Sequence, residues 1–342
     1  MGLLVWLRLR RPNTWERPTL LDSLLDSPLH WLVAWLYAVL LLLRGRPFRP
    51  GHGHTSTIKV VCLSDTHGHV VPDVPDGDLL VHCGDLTDAG SAAAIQAQLD
   101  WLAALPHRHK VVVAGNHDSW FDPDARRALA DAARSSRGEG DGDGEADGEV
   151  DFKGVVYLEN SSVTLEFKGG RKLNVYGSPA VPTCGGPTNA FQYERHLHPW
   201  HGRIPPETDV LVTHTPPRYH LDLAGVGCAG LLDEVWRVKP KLHVFGHVHW
   251  GRGRQAVYFD ECQRAYEALM ARRCKGPLRD LLPGPAWADA FNVLWYGVNS
   301  VLFKWLMLGP GTNNGGLMVN AAVVRGNTGK LVRRNAAAVV EL

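Results

Sequence analysis

The sequence predicts an α/β fold around a buried central sheet, on three observations. Five short runs rich in Val and Leu have the length and composition of buried strands. Each run stops on an Asp, Asn or His side chain. Two later stretches, 261–273 and 287–308, carry the longer apolar period of helices. In open α/β sheets, sites are built in the loops just past the carboxyl ends of the strands. Five such loops, each delivering metal-ligand side chains, describe one polar pocket.

The elements follow in chain order. Residues 1–57 read as a segment apart from the core. Arg8, Arg10, Arg11 and Arg17 precede the apolar run Trp31 to Leu43, and Arg44, Arg46 and Arg49 follow it. As a helix that run extends about 20 Å, short of the ~30 Å hydrocarbon core of a bilayer. The run starts late for a signal peptide, and Arg-Gly-Arg-Pro follows it instead of a small-residue cleavage site. Basic flanks and two Trp suit a helix at a membrane interface. The alternative is a helix packed on the catalytic domain or on a partner.

The domain itself is expected over residues 58–342. Its strands run Ile58–Ser64 into Asp65-Thr66-His67, Asp78–Gly84 into Asp85, and Lys110–Gly115 into Asn116-His117-Asp118. Asp209–Thr213 leads into His214, and Lys241–Gly246 into His247-Val248-His249. Between the third and fourth strands, residues 134–151 alternate Gly with acidic residues and read as a disordered surface loop. That tract lacks the spacing and closing Glu of a calcium-binding EF-hand loop. Residues 261–312 read as a helical insertion, and 317–324 and 338–342 as closing strands.

Composition narrows the class. A hydrophobic share of 45% and a charged share of 21% are ordinary for a globular protein. Thirty-six basic against 35 acidic residues leave a net charge of +1, so no global field points to nucleic acid as a stable partner. Six cysteines (62, 83, 184, 228, 262 and 274) show no C-x-x-C spacing. They read as free thiols, which suits the reducing, cytosolic side of a membrane.

Hydrolysing a phosphate ester needs an activated water, charge neutralisation on the phosphoryl oxygens and help for the leaving oxygen. Two divalent ions about 3.5–4 Å apart supply the first two, because a water held between them attacks as hydroxide near neutral pH. Three Asp or Asn oxygens and four imidazoles, without a thiolate, favour Mn, Fe or Zn over a structural zinc site or a magnesium cage.

Asp65-x-His67, Gly84-Asp85-x-x-Asp88, Gly115-Asn116-His117-Asp118, the lone His214 in Thr-His-Thr-Pro-Pro and Gly246-His247-x-His249 resemble, in order, the five motifs of the calcineurin-like metallophosphoesterase superfamily. Gly177-Ser178-Pro179, Ala190-Phe191-Gln192-Tyr193 and His214-Thr215-Pro216-Pro217 further resemble its metallophosphoesterase-domain branch, related to cyclic-nucleotide phosphodiesterases. The resemblance spans about residues 58–260. It implies an α/β/β/α sandwich of two central mixed sheets flanked by helices, with the N-terminal helix and the insertion added.

The resemblance also implies roles. Asp65, His67 and His249 would hold a first divalent ion, Asn116, His214 and His247 a second, and Asp85 would bridge them. His117 would assist the leaving oxygen as general acid or electrostatic clamp, with Asp88 orienting it. Asp118 stands where Glu is frequent and would support the ligands from behind. Protein phosphatases of this superfamily continue the second motif with Asp-Arg-Gly, whereas Asp88-Ala89-Gly90 offers no arginine. Small phosphate esters or diesters are therefore the expected substrates. Two other readings stay open: a scaffold of this fold without catalysis, and an esterase directed at lipids if both apolar helices meet a membrane. His82 and His243, inside strands, read as structural; His69 and His220 are open between structure and substrate contact; His52 and His54 read as solvated linker. Oligomeric state is not legible.

Overall fold

Alternation along each strand decides how the layers stack. The computed structural model describes residues 3–13, 16–48, 57–137, 148–223, 225–273, 276–308, 315–332 and 336–342. The chain opens with helices α1 (Leu3–Trp6), α2 (Leu20–Asp26) and α3 (Pro28–Arg44). Three parallel strands follow, β1 (Lys59–Leu63), β2 (Leu79–Cys83) and β3 (His109–Val113), with α4 (Ala92–Ala104) between the second and third. After α5 (Pro123–Arg137) come β4 (Val156–Tyr157), β5 (Ser161–Glu166), β6 (Lys172–Ser178), β7 (Val181–Pro182), β8 (Gln192–Tyr193) and β9 (Val210–Thr213). Then α6 (Ala229–Val238) leads to β10 (Leu242–Phe245) and β11 (Gly253–Val257). Helices α7 (Glu261–Ala271), α8 (Pro277–Asp280) and α9 (Pro285–Phe303) precede the closing strands β12 (Gly316–Asn320) and β13 (Ala338–Glu341).

The first sheet has the order β13-β1-β2-β3-β4 and the second β11-β12-β10-β9-β6-β5. Both are mixed, since β13 joins β1 antiparallel and β5 and β11 run antiparallel to their neighbours. Side chains of a strand point alternately to its two faces. Val60, Cys62, Leu79, Val81 and Val111 therefore point inward to meet Val175, Val210, Val212 and Val244 of the second sheet. Their neighbours Val61, Leu63, Leu80 and Val112 point outward onto Ile95, Leu99 and Leu102 of α4. Likewise Tyr176, Leu211 and Phe245 carry Leu231 and Val235 of α6. Helix, sheet, sheet, helix is the sandwich the motifs imply, and the carboxyl ends of its parallel strands lie together.

A fourth apolar cluster stands apart from these three. Leu29, Val33, Tyr37 and Leu40 of α3 pack on Cys262, Ala265 and Leu269 of α7 and on Ala290 and Val293 of α9. Tyr37 stacks on Tyr266 with ring centroids 4.0 Å apart. The N-terminal segment thus seats on the inserted helices. It is also fastened to the sandwich side, where Arg17 Nε donates to the Trp250 carbonyl at 2.7 Å and Tyr258 donates its hydroxyl to the Gly45 carbonyl at 2.7 Å.

One expectation changes and one open reading is decided. The loop anticipated over 134–151 starts later, because α5 continues through Arg137 on a run of Ala, Leu and Arg with high helix propensity. At its far side Val150 is buried beside α4, and Asp151 N donates to Gln96 Oε1. The stretch 138–147, like His52, His54 and Cys274, lies outside the described residues. His220 is fully buried and bonded through Nε2 to Glu267 at 2.9 Å, so it ties the 217–223 loop to α7. The same carboxylate accepts from Trp236 Nε1 at 2.7 Å and Gln263 Nε2 at 2.8 Å. Glu267→Ala leaves those buried partners unsatisfied. It is expected to lower unfolding free energy by about 2–4 kcal/mol in urea melts; an unchanged midpoint would show that the junction adds no stability.

Candidate metal centre

Every motif residue emerges where its strand ends and the backbone turns sharply. Asp65, His67, Asp85 and His247 have positive φ, between 48° and 62°. Asp and His tolerate this region better than most residues, but each such turn still costs on the order of 1 kcal/mol and persists only where neighbours enforce it. Here the neighbours are main-chain donors. His247 N donates to both oxygens of Asp65, at 3.0 and 3.1 Å, and His117 N donates to Asp85 Oδ1 at 2.9 Å. Asp118 accepts from Gly115 N at 2.8 Å, Leu86 N at 3.1 Å and Thr87 N at 3.0 Å, buckling the second loop to the third. Burial, then the charge of Asp85, pushes the Asp118 carboxyl up to about 7.

Two motif glycines are needed for space. A Cβ on Gly246 would overlap Ser64 Oγ and Asp65 Oδ2, and one on Gly115 would overlap Asp85 Oδ1 and come within 2.7 Å of His214 Cε1. The two carboxylates therefore cross bare backbone to reach the centre.

The side chains converge into two sets that share one carboxylate. Ligand atoms of Asp65, His67, Asp85 and His249 lie within 4.8 Å of one another, as do those of Asp85, His214 and His247. Asn116 Oδ1 joins the second set, 2.9 Å from His214 Nε2 and 2.8 Å from His247 Nδ1. All seven expected ligands are thus in one place, with Asp85 between the sets.

Hydrogen bonding fixes which atoms face inward. His249 Nδ1 donates to the Gly326 carbonyl and His214 Nδ1 to the Cys83 carbonyl, both at 2.8 Å. His67 Nδ1 donates to Asp88 Oδ1 at 2.5 Å. In the neutral rings the Nε2 atoms then carry lone pairs. Those of His67 and His249 face each other at 3.2 Å. Asn116 Nδ2 donates to Asn189 Oδ1 at 2.9 Å, which turns its own oxygen toward the two imidazoles. Lone pair against lone pair is repulsive unless a positive charge sits among them. Protons show the demand: burial alone lowers His214 and His249, but Asp85 and Asp65 respectively raise both to about 9. Burial raises Asp65, yet its His249 bond brings it down to about 2. The donor set fits divalent cations, which satisfy several lone pairs at once.

Asp88 stands beside two imidazoles, within 4.8 Å of ring nitrogens of both His67 and His117. Asp88 is exposed and bonds His67, and no hydrogen bond joins it to His117 among the described residues. His117 stands edge-on to His67 with ring centroids 5.0 Å apart. The sequence did not announce Asn189, which holds Asn116, or the Gly326 and Cys83 carbonyls that fix two histidines. A lone Asn in a Gly-rich loop, or a main-chain oxygen, leaves no signature. His82 and His243 sit beneath the centre, bonded to Thr66 Oγ1 at 3.1 Å and Thr213 Oγ1 at 2.9 Å. His69 contacts the Gly329 carbonyl at 2.9 Å.

The profile of the calcineurin-like phosphoesterase family matches residues 58–251, the segment that carries all five loops. The chain belongs to this family. Among its relatives are the human metallophosphoesterase domain-containing protein 1, 35% identical over 58% of this chain and 62% of its own length, and a UPF0046 protein of Caenorhabditis elegans, 38% identical over 58% and 66%. The probable rhamnogalacturonate lyase C of Emericella nidulans is 38% identical over 82% of this chain but only 24% of its own length. The chain therefore spans less than two thirds of each of these relatives. The last match covers 284 residues, more than the 194 between 58 and 251, so that likeness extends beyond the phosphoesterase segment.

Two outcomes test the centre. Gly246→Ala is expected to lower divalent-metal affinity by about 10–100-fold, measured by metal analysis after dialysis. Gly186→Ala, whose Cβ would meet nothing within 4 Å, is the control and should leave affinity unchanged. Protons and cations compete for the same Nε2 atoms. His214 and His249 are raised from 6.5 to about 9, so their protonation stabilises the metal-free fold below pH 6.5. That contribution is lost as pH rises through about 9. Metal affinity should accordingly climb between these values with proton release in calorimetry; a flat profile would refute the competition.

Proposed function

We propose that this chain is a metal-dependent phosphoesterase that hydrolyses phosphodiesters or small phosphomonoesters at a two-cation centre. The carrying observation is the pair of donor sets that share Asp85. Asp65, His67 and His249 would hold one cation, Asn116, His214 and His247 the other. Nitrogen and oxygen donors without thiolate suit manganese, iron or zinc. When bound, such ions activate a water and neutralise the phosphoryl oxygens.

The remaining work falls to the chain's own groups. His117 has its main chain anchored on Asp85 and its partly exposed ring at the rim of the first set. It is placed to give a proton, or positive charge, to the departing oxygen. Asp88 positions His67 and lies within 4.8 Å of a His117 ring nitrogen, at the side where a leaving oxygen would depart. Asn189 keeps the Asn116 oxygen aimed inward. The free cysteines at 62, 83, 184, 228 and 262 support a reducing, cytosolic-side location.

The test is turnover by the purified chain, loaded with Mn²⁺, on bis-p-nitrophenyl phosphate and on 2′,3′- and 3′,5′-cyclic nucleotides. His117→Ala should lower kcat by about 10²–10⁴ while metal content is unchanged. Absence of turnover with both cations bound would overturn the reading in favour of a non-catalytic scaffold.

A further inference from the structure

The helices outside the phosphoesterase segment carry an apolar face that the catalytic centre does not use. Between His30 and Arg44, α3 contains no charged residue. Its inward stripe is buried on α7 and α9, while on the opposite side Trp31, Trp35 and Leu42 are 41%, 55% and 80% exposed. Helix α9 repeats the pattern. Ala290, Val293 and Gly297 face inward, and Trp287, Phe291, Trp295 and Leu302 outward. The two helices cross where Leu40 lies over Gly297, and their ends join where Trp305 Nε1 donates to the Leu43 carbonyl at 3.1 Å. The Asn299 amide is turned back onto the Trp295 carbonyl at 2.8 Å, which removes a polar interruption. A continuous exposed apolar face of this kind marks an interaction site.

Charge identifies the occupant. Residues 1–57 hold seven Arg against three acidic residues, and 261–308 hold six basic against four acidic. The helical attachment is therefore +6, and the rest of the chain, with a total of +1, is −5. Arg8, Arg46, Arg273 and Arg279 are exposed. Arg273 and Arg279 line, with Asp280 and with Arg272 that pairs with Asp289, a 560 Å³ cleft that opens beside Leu282 and Pro285 at the start of α9, so basic groups outnumber acidic ones there. Trp-rich apolar surface bordered by arginines matches the boundary between acyl chains and anionic headgroups. A second copy docking face to face would set +6 against +6.

Geometry decides the orientation. No single helix among the described residues is long and apolar enough to cross a bilayer; α2 and α3 together have the length and composition, but the pair is bent by 119° at its junction. Because α3 and α9 are seated on the protein along their inward stripes, their outward stripes meet a surface side-on. We propose that this face docks in the plane of an anionic phospholipid membrane.

Flotation of the full chain with phosphatidylcholine vesicles, with and without phosphatidylserine, tests this independently of any catalysis. The chain should float with the anionic vesicles, less with the neutral ones, and less again at high salt. The double variant Trp35→Glu, Trp295→Glu should lose about tenfold or more of its vesicle partitioning, with helical circular dichroism and melting temperature kept. Equal flotation of the variant would overturn the proposal. So would light scattering that shows a dimer, dissolved by the same substitutions, in a chain that does not float.

Discussion

Two buried carboxylates, Asp65 and Asp85, are the interaction on which the site depends. Each is taken out of water, which is costly for an ion unless partners replace the solvent. The partners come from the loops the carboxylates must organise: His247 N on Asp65, and His117 N on Asp85. Imidazoles of His249 and His214 supply positive charge when protonated. The left-handed turns at the strand ends persist because these bonds offset their cost. Binding of cations and folding of the loops are thus parts of one equilibrium.

The two sheets are coupled through the same groups. His214, at the end of β9 in the second sheet, donates to the Cys83 carbonyl at the end of β2 in the first. Asp65, beyond β1, receives the main chain of His247, beyond β10. A shift of one sheet over the other would pull apart both donor sets. The inter-sheet layer of Val60, Val81, Val175, Val212 and Val244 therefore serves geometry as much as stability. β-branched side chains suit this because few rotamers are open to them.

What was legible in the sequence followed from burial on both faces. β1, β2, β3, β9 and β10 are covered by a second sheet and by helices, so their apolar runs are continuous and end abruptly on the ligands. Elements without that pattern were not announced: the two-residue strands β4, β7 and β8, and the half-exposed β5 with its partner β6. Spacing alone cannot tell which of two adjacent imidazoles a short carboxylate reaches, and Asp88 bonds His67 while lying within 4.8 Å of a His117 nitrogen. For α3, composition left interface and packing as alternatives, and its two stripes allow both at once.

The strand order carries a consequence for biosynthesis. β1, which bears Asp65 and His67, is flanked on one side by β2 and on the other by β13, and the Ile58 and Leu342 main chains bond each other in both directions. As the nascent chain leaves the ribosome, one edge of β1 stays uncovered until the closing residues have emerged. An open apolar edge strand is a hazard for mispairing with other chains. The strand that leads into the first two ligand positions is thus the one whose free edge is closed last, by β13.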